Sequence, residues 1–179
     1  ESLGTEVLDV ISQPMQPVTG PLRTAFEFVD LSLREVPSRP ELAEMRRASI
    51  SQSHVAGRML AALDRGETLP KKFSAPISVW QFGDCLTLVG LPEETVSEYV
   101  PLLKRTLGAE GLWTAGYSHD VSGYLPTVKI LNEGGYETRG LAGDAVGFFS
   151  PDVEGLMVRQ IKQMAEPEQI PGKPPAPTE

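Results

Sequence analysis

Little in this sequence offers a ready-made chemical device. Its 179 residues include one cysteine and two histidines. A lone cysteine excludes an intrachain disulfide, and with no HxH, HExxH or CxxC spacing the chain's own motifs assemble no standard metal site. Basic charge is also scarce. The 16 Lys and Arg stand against 24 Asp and Glu, a net charge of −8, which argues against nucleic acid or an anionic membrane surface as a partner. The basic clusters, Arg46-Arg47 and Lys71-Lys72, are only two residues long. No apolar run reaches the roughly eighteen residues of a membrane span. The glycines of GGYETRGLAGDAVG lack the lysine and the strand-to-helix frame of a phosphate loop. Cys85, in CLTLVGL, has no histidine near it in sequence and reads as a buried small hydrophobe, not a nucleophile.

What is present suits one domain with a sizeable core, at 40% hydrophobic and 22% charged residues. Residues 1–20 are polar and proline-dotted, a loose lead-in. The chain opens at Glu1 with neither methionine nor a signal-like segment, as a processed or excised piece would. RTAFEFVDLSLRE shows strand alternation with a change of phase, which predicts a bulge. Ser38-Arg39-Pro40-Glu41 has the form of a capping box, and the helix it opens is expected to reach Asp64, with Gly66 as terminator. ISVWQF and CLTLVGL, separated by Gly83-Asp84, read as two strands joined by a tight turn. From Glu93 to Leu107 the apolar spacing predicts a helix that Pro101 should kink.

LWTAGYS is a short strand, and 120–149 is loop-like. A last helix begins at Ser150-Pro151-Asp152, with Val153, Leu156, Met157, Ile161 and Met164 as its buried stripe. EQIPGKPPAPTE, within 167–179, is expected to be a disordered tail. The fold class is therefore α/β or α+β, a mixed sheet with flanking helices over residues 21–166.

Candidate site residues each carry an ordinary reading as well. His54, beside Ser51 and Ser53, reads as a surface or cap-facing residue, whereas His119 beside Asp120 could belong to a site. Glu93 and Glu94 follow Leu91-Pro92 at the end of a strand. Acidic residues favour a helix's first turn, but strand ends are also where open sheets place their ligand crevice. Core packing suits Tyr99 and Tyr117. It suits Tyr124 and Tyr136 less well, because both stand among glycines and turn residues in loops of the kind that carry function.

Four pieces, in order, carry a family likeness: VWQFGDCLTLVGLPEE, WTAGYSHDVSGYLPT, EGGYE and SPDVEGLMVRQI, with RMLAALDRGETLP upstream. Across about two-thirds of its length the chain resembles the C-terminal half of the catalytic domain of the neutral/alkaline non-lysosomal ceramidase family, nearest its bacterial ceramidase-like branch. The resemblance implies a zinc-dependent amide hydrolase, with zinc held by two histidines, a glutamate and a tyrosine, acting on an N-acyl, sphingolipid-like amide and secreted or periplasmic in location. It places Glu94 and Tyr124 as zinc ligands and Tyr136 as the catalytic phenol at the reacting carbonyl.

Some positions depart from the pattern. The two histidine ligands belong to the family's N-terminal half, so that half of the same domain is an implied partner and this chain alone is expected to be inactive. Glu93 replaces a glycine, His119 stands where asparagine is usual, and Arg139 stands where the bacterial branch tends to have glycine. The alternative is a non-catalytic binding or assembly module that retains the scaffold.

Overall fold

Alternating apolar residues fix which side of the central sheet is covered, and two helices supply the cover. The computed structural model describes residues 2–48, 50–108, 110–143 and 145–166. The tail expected at 167–179 lies outside the described residues. In chain order the first elements are α1 (Leu3–Ile11), β1 (Leu22–Ser32), α2 (Arg39–Met45), α3 (Ile50–Asp64), β2 (Lys72–Phe82), β3 (Leu86–Gly90) and β4 (Glu94–Thr95). Next come α4 (Tyr99–Leu107), β5 (Leu112–Ala115), β6 (Tyr124–Leu125), α5 (Val128–Glu133), a 3₁₀ turn (Tyr136–Thr138), β7 (Leu141–Ala142), β8 (Val146–Gly147) and α6 (Val153–Ala165).

The main sheet runs β1-β2-β3-β5, antiparallel except for the parallel β3–β5 pair, whose connection carries α4. The mixed sheet and its helices fit the α/β or α+β expectation. On one face Val29 and Leu31 of β1 and Phe73, Ala75, Ile77 and Val79 of β2 are buried with Val89 and Leu91. They pack in one cluster with Val153, Met157 and Ile161 of α6 and with Tyr99 and Leu103 of α4. Each such aliphatic side chain contributes about 1.5–3 kcal/mol by leaving water.

The opposite face is largely uncovered, apart from a patch at Ser78 and Pro76, which are buried. Phe26, Phe28 and Trp113 are more than half exposed there, with Leu22 and Trp80 beside them. The phase change in β1 is thus no bulge. Pairing with β2 is unbroken from Leu22↔Phe82 to Ser32↔Lys72, and the two apolar sets are the two faces of one strand. Such an aromatic face exceeds what scattered surface hydrophobes present.

Several expectations change. The helix from Ser38 breaks into α2 and α3, with the turn at 46–48 closed by Arg47 N–H→Glu44 O at 2.8 Å and Ala48 N–H→Met45 O at 3.1 Å. The break lets Leu42 pack in one cluster with Val55 and Met59. α4 starts at Tyr99, so Pro101 lies in its first turn, where a missing N–H leaves no gap in the ladder, and it has no kink to cause. Glu94 lies in β4, not at a helix start. Within 120–149 there are two short paired strands, a helix and β6, where a loop was expected. The lead-in forms α1, yet none of its side chains is buried. Cys85 is exposed, because it lies in the turn between β2 and β3 instead of entering the sheet. No helix among the described residues is long and apolar enough to cross a membrane.

Candidate functional site

The parallel pairing of β3 with β5 sends two loops out side by side at the same sheet edge. One runs through Glu93 and Glu94, the other from Gly116 to Tyr124. They are stitched together by Leu91 N–H→Ala115 O at 2.8 Å, Ser118 N–H→Leu91 O at 2.9 Å and Glu94 N–H→Gly123 O at 2.9 Å. The stitching ends in a two-residue parallel ladder in which Glu94 is the register partner of Tyr124 and Thr95 that of Leu125. Residues opposite one another in a ladder project to the same side. The carboxylate and the phenol are neighbours for that reason.

Both line an open cleft of about 790 Å³, whose walls also include His54, Tyr136 and Arg139. Tyr136 enters on the 3₁₀ turn after Gly134 and Gly135, both at positive φ. Its ring meets Tyr124 edge to face, 5.4 Å between centroids, a favoured aromatic geometry. The Arg139 guanidinium stacks 4.4 Å from the Tyr136 centroid. α3 forms the far wall through His54 and Val55, and Arg58 Nη1 donates to Ala142 O at 2.8 Å, tying that helix to β7.

Gly123 allows the close approach behind Tyr124, since a Cβ there would stand 2.7 Å from the Gly140 carbonyl oxygen. Gly140 itself has φ +89° and a similar conflict with the Gly147 carbonyl oxygen, which leaves glycine as the residue that fits.

Hydrogen bonding to the Glu94 carboxylate, then partial burial and the charge of that carboxylate, push the Tyr124 phenol up to about 12. The same carboxylate raises Tyr117, again first by hydrogen bonding. Tyr117 is exposed and at φ +56°, contrary to the core-packing expectation, because the bend after β5 turns it out beside Glu94. Tyr99 does pack as expected, fully buried with its hydroxyl donating to Pro126 O at 3.2 Å.

Glu93 is the residue that sequence reasoning most underrated. It is wholly buried at φ +61°, and its Oε2 accepts from Ser122 N–H and Gly123 N–H, each at 2.6 Å. Burial raises its carboxyl to about 7, opposed by those two donors and assisted by Asp120. The Glu93-Glu94 pair after a strand was a visible signal, but not which of the two turns inward.

His54 is a surface residue, as expected, whereas His119 stands apart from the cleft. His54 is exposed on the cleft wall. His119 lies over the aromatic sheet face, its Nε2 3.0 Å from Ser78 Oγ and its ring 5.2 Å from Phe26.

The residues that could contribute to a metal site are a single oxygen pair. One carboxylate and one phenol, both oxygen ligands available to zinc, face the same open volume, though no group of three or more His, Cys, Asp or Glu side chains among the described residues could hold an ion unaided.

Solved structures similar to this chain include neutral ceramidase from Pseudomonas aeruginosa, at 17% identity and TM-score 0.51, with 90% of this chain and 30% of that chain covered. A ceramidase complexed with C2 gives 14% identity, TM-score 0.51 and coverage of 90% and 32%. No protein-family model matches the chain, and no curated protein does. The likeness gives a ceramidase-like fold to nearly all of this chain, which spans under a third of those structures.

Proposed function

We propose that this chain is the C-terminal portion of the catalytic domain of a ceramidase-like, zinc-dependent amide hydrolase. Glu94 and Tyr124 are its two metal ligands within this chain. The observation that carries the reading is the Glu94–Tyr124 register pair, opening onto one cleft beside Tyr136. Zinc bound there would act as a Lewis acid and lower the pKa of a bound water.

The chain's own residues do the rest. β4 and β6 hold the carboxylate and the phenol in fixed register, so the phenol's proton and its hydrogen bond to Glu94 would give way to an ion bound between them without movement of the backbone. Tyr136, next to Tyr124, donates its hydroxyl hydrogen to the oxyanion that develops from the substrate carbonyl, a role worth about 10²–10³ in rate for a single donor. Val55 and Ala142 give the cleft an apolar wall, suited to the hydrocarbon part of an N-acyl amide.

The remaining ligands come from the N-terminal half of the same domain. The aromatic face of the main sheet, with Phe26, Phe28 and Trp113 exposed, is what such a domain leaves uncovered when its other half is taken away. That the similar solved structures are ceramidases, of which this chain spans under a third, supports the same reading.

The test uses the full-length protein, measuring zinc content and release of fatty acid from an N-acyl sphingosine, wild type against Glu94→Ala. Loss of zinc together with activity is expected. Hydrolysis that survives Glu94→Ala undiminished would refute the reading.

A further inference from the structure

We propose that Glu93 is a positioning residue of this site, its carboxyl fastening the Ser122–Gly123 peptide units so that Tyr124 stands in register with Glu94. The inference rests on the metal reading above and adds to it a residue that touches neither metal nor substrate.

Two features of Glu93 are unfavourable by themselves. A non-glycine residue at φ +61° costs about 1–2 kcal/mol against the ordinary regions. A carboxyl with no exposed surface, one of whose oxygens has no partner, carries a desolvation cost as well. Packing alone does not account for either, because an aliphatic side chain would fill the space more cheaply.

What offsets them is the set of bonds at this one residue. Oε2 takes the N–H groups of Ser122 and Gly123, which the loop's own backbone leaves without carbonyl partners. The Glu93 N–H donates to Asp120 O at 2.7 Å, and its carbonyl accepts from Tyr117 N–H at 2.9 Å. Residue 93 therefore grips the 117–123 loop by four hydrogen bonds, to Tyr117, Asp120, Ser122 and Gly123. The groups it aligns each lie one position further on: Glu94 follows Glu93, and Tyr124 follows Gly123. If the carboxyl's two bonds are lost, the loop stays attached at Leu91, Ala115 and through Glu94 N–H→Gly123 O, but the Ser122–Gly123 peptide units lose the tether that sets the orientation of the Tyr124 ring.

Outer-shell partners of metal ligands are commonly worth about 10–100-fold in metal affinity. Glu93→Gly removes the side chain and leaves a residue at ease at φ +61°, so it isolates the carboxyl from backbone strain. Glu93→Gln keeps an oxygen that accepts both N–H groups.

In the full-length protein, we expect Glu93→Gly to lower zinc affinity, by chelator competition, about tenfold or more. It should also lose hydrogen-exchange protection at the Ser122 and Gly123 amides, while Glu93→Gln retains both properties. Met157→Ala, on the helix covering the sheet's other face, should lower the melting temperature and leave zinc affinity alone. If the glycine variant does not fold, Glu93→Asp, whose carboxyl is one methylene short, should show the same losses.

Glycine-variant affinity equal to wild type overturns the proposal, as does an equal loss in Met157→Ala. A wild type that takes up no zinc refutes the metal reading instead. The Tyr124 ring NMR signals then decide the positioning role: displaced in Glu93→Gly and restored in Glu93→Gln supports it, and unmoved in both overturns it.

Discussion

Replacing Gly123 with alanine tests how tightly the site depends on backbone approach. A Cβ at 123 would lie 2.7 Å from the Gly140 carbonyl oxygen and 3.4 Å from the Leu141 Cα. Both neighbours are backbone and cannot rotate away. The two segments must therefore part by roughly half an ångström or more to restore ordinary contact, and such overpacking costs about 1–3 kcal/mol. Against that, alanine gains about 0.4–1 kcal/mol by restricting the unfolded chain. The net loss is about 1–2 kcal/mol, or roughly 2–8 °C in melting temperature for a domain of this size.

Gly116→Ala is the matched control. It lies in the same loop, but its Cβ would meet nothing nearer than Thr95 Cβ at 3.5 Å, so it should melt at or slightly above wild type. Because the displaced strand carries Tyr124, Gly123→Ala should also weaken zinc binding where Gly116→Ala does not. Thermal melts of the metal-free proteins and chelator competition for zinc read both effects. Two variants melting within a degree of each other would refute the steric argument.

Three further outcomes are expected. Tyr136→Phe should keep zinc content, since the ring still packs against Tyr124, and lower kcat by about 10²–10³ through loss of one oxyanion donor. Steady-state kinetics with metal analysis would read this, and a variant losing metal would contradict the role. Met157→Ala empties a wholly buried position between α6 and the sheet and should cost about 2–5 kcal/mol in urea unfolding. Glu41 is held below its usual carboxylate range, first by the Ser38 hydroxyl and then by the Ser38 N–H, at 2.6 Å and 2.7 Å. Its contribution is therefore present above pH 4.5 and fades as pH falls through the folded value. The stability difference between wild type and Glu41→Gln should shrink on acidification, and a difference that grows would reverse the sign.

The parts legible in the sequence were those with enough length to show a period. β2, β3 and α6 follow from alternation or from the stripe Val153, Leu156, Met157, Ile161 and Met164, buried except for the half-buried Leu156. β1 was legible as a strand, but two apolar sets of opposite phase look the same whether a bulge switches faces or both faces are apolar. The break after Met45 has no glycine or proline to announce it, and tertiary packing of Leu42 decides it. β4 and β6 are two residues each, too short for any period, and their pairing joins positions thirty apart in sequence. Glu94, Tyr124 and Tyr136 came to attention through family likeness and loop context. Their common cleft follows from the β3–β5 parallel pair, a nonlocal fact. Glu93 and Tyr117 were misread because positive φ turns a side chain where neither helical nor strand periodicity would send it.

The parallel run of β3 beside β5 also has a consequence for how this surface changes over time. The sheet's register is set by residues 86–90 and 112–115, whereas the candidate site lies in the segments that leave their ends. Insertions or substitutions in those segments alter what the opening accepts and leave the strands' hydrogen bonding intact. On the proposed reading, a scaffold so divided would let substrate preference drift while the Glu94–Tyr124 pair stays put, provided the short ladder joining them survives each change.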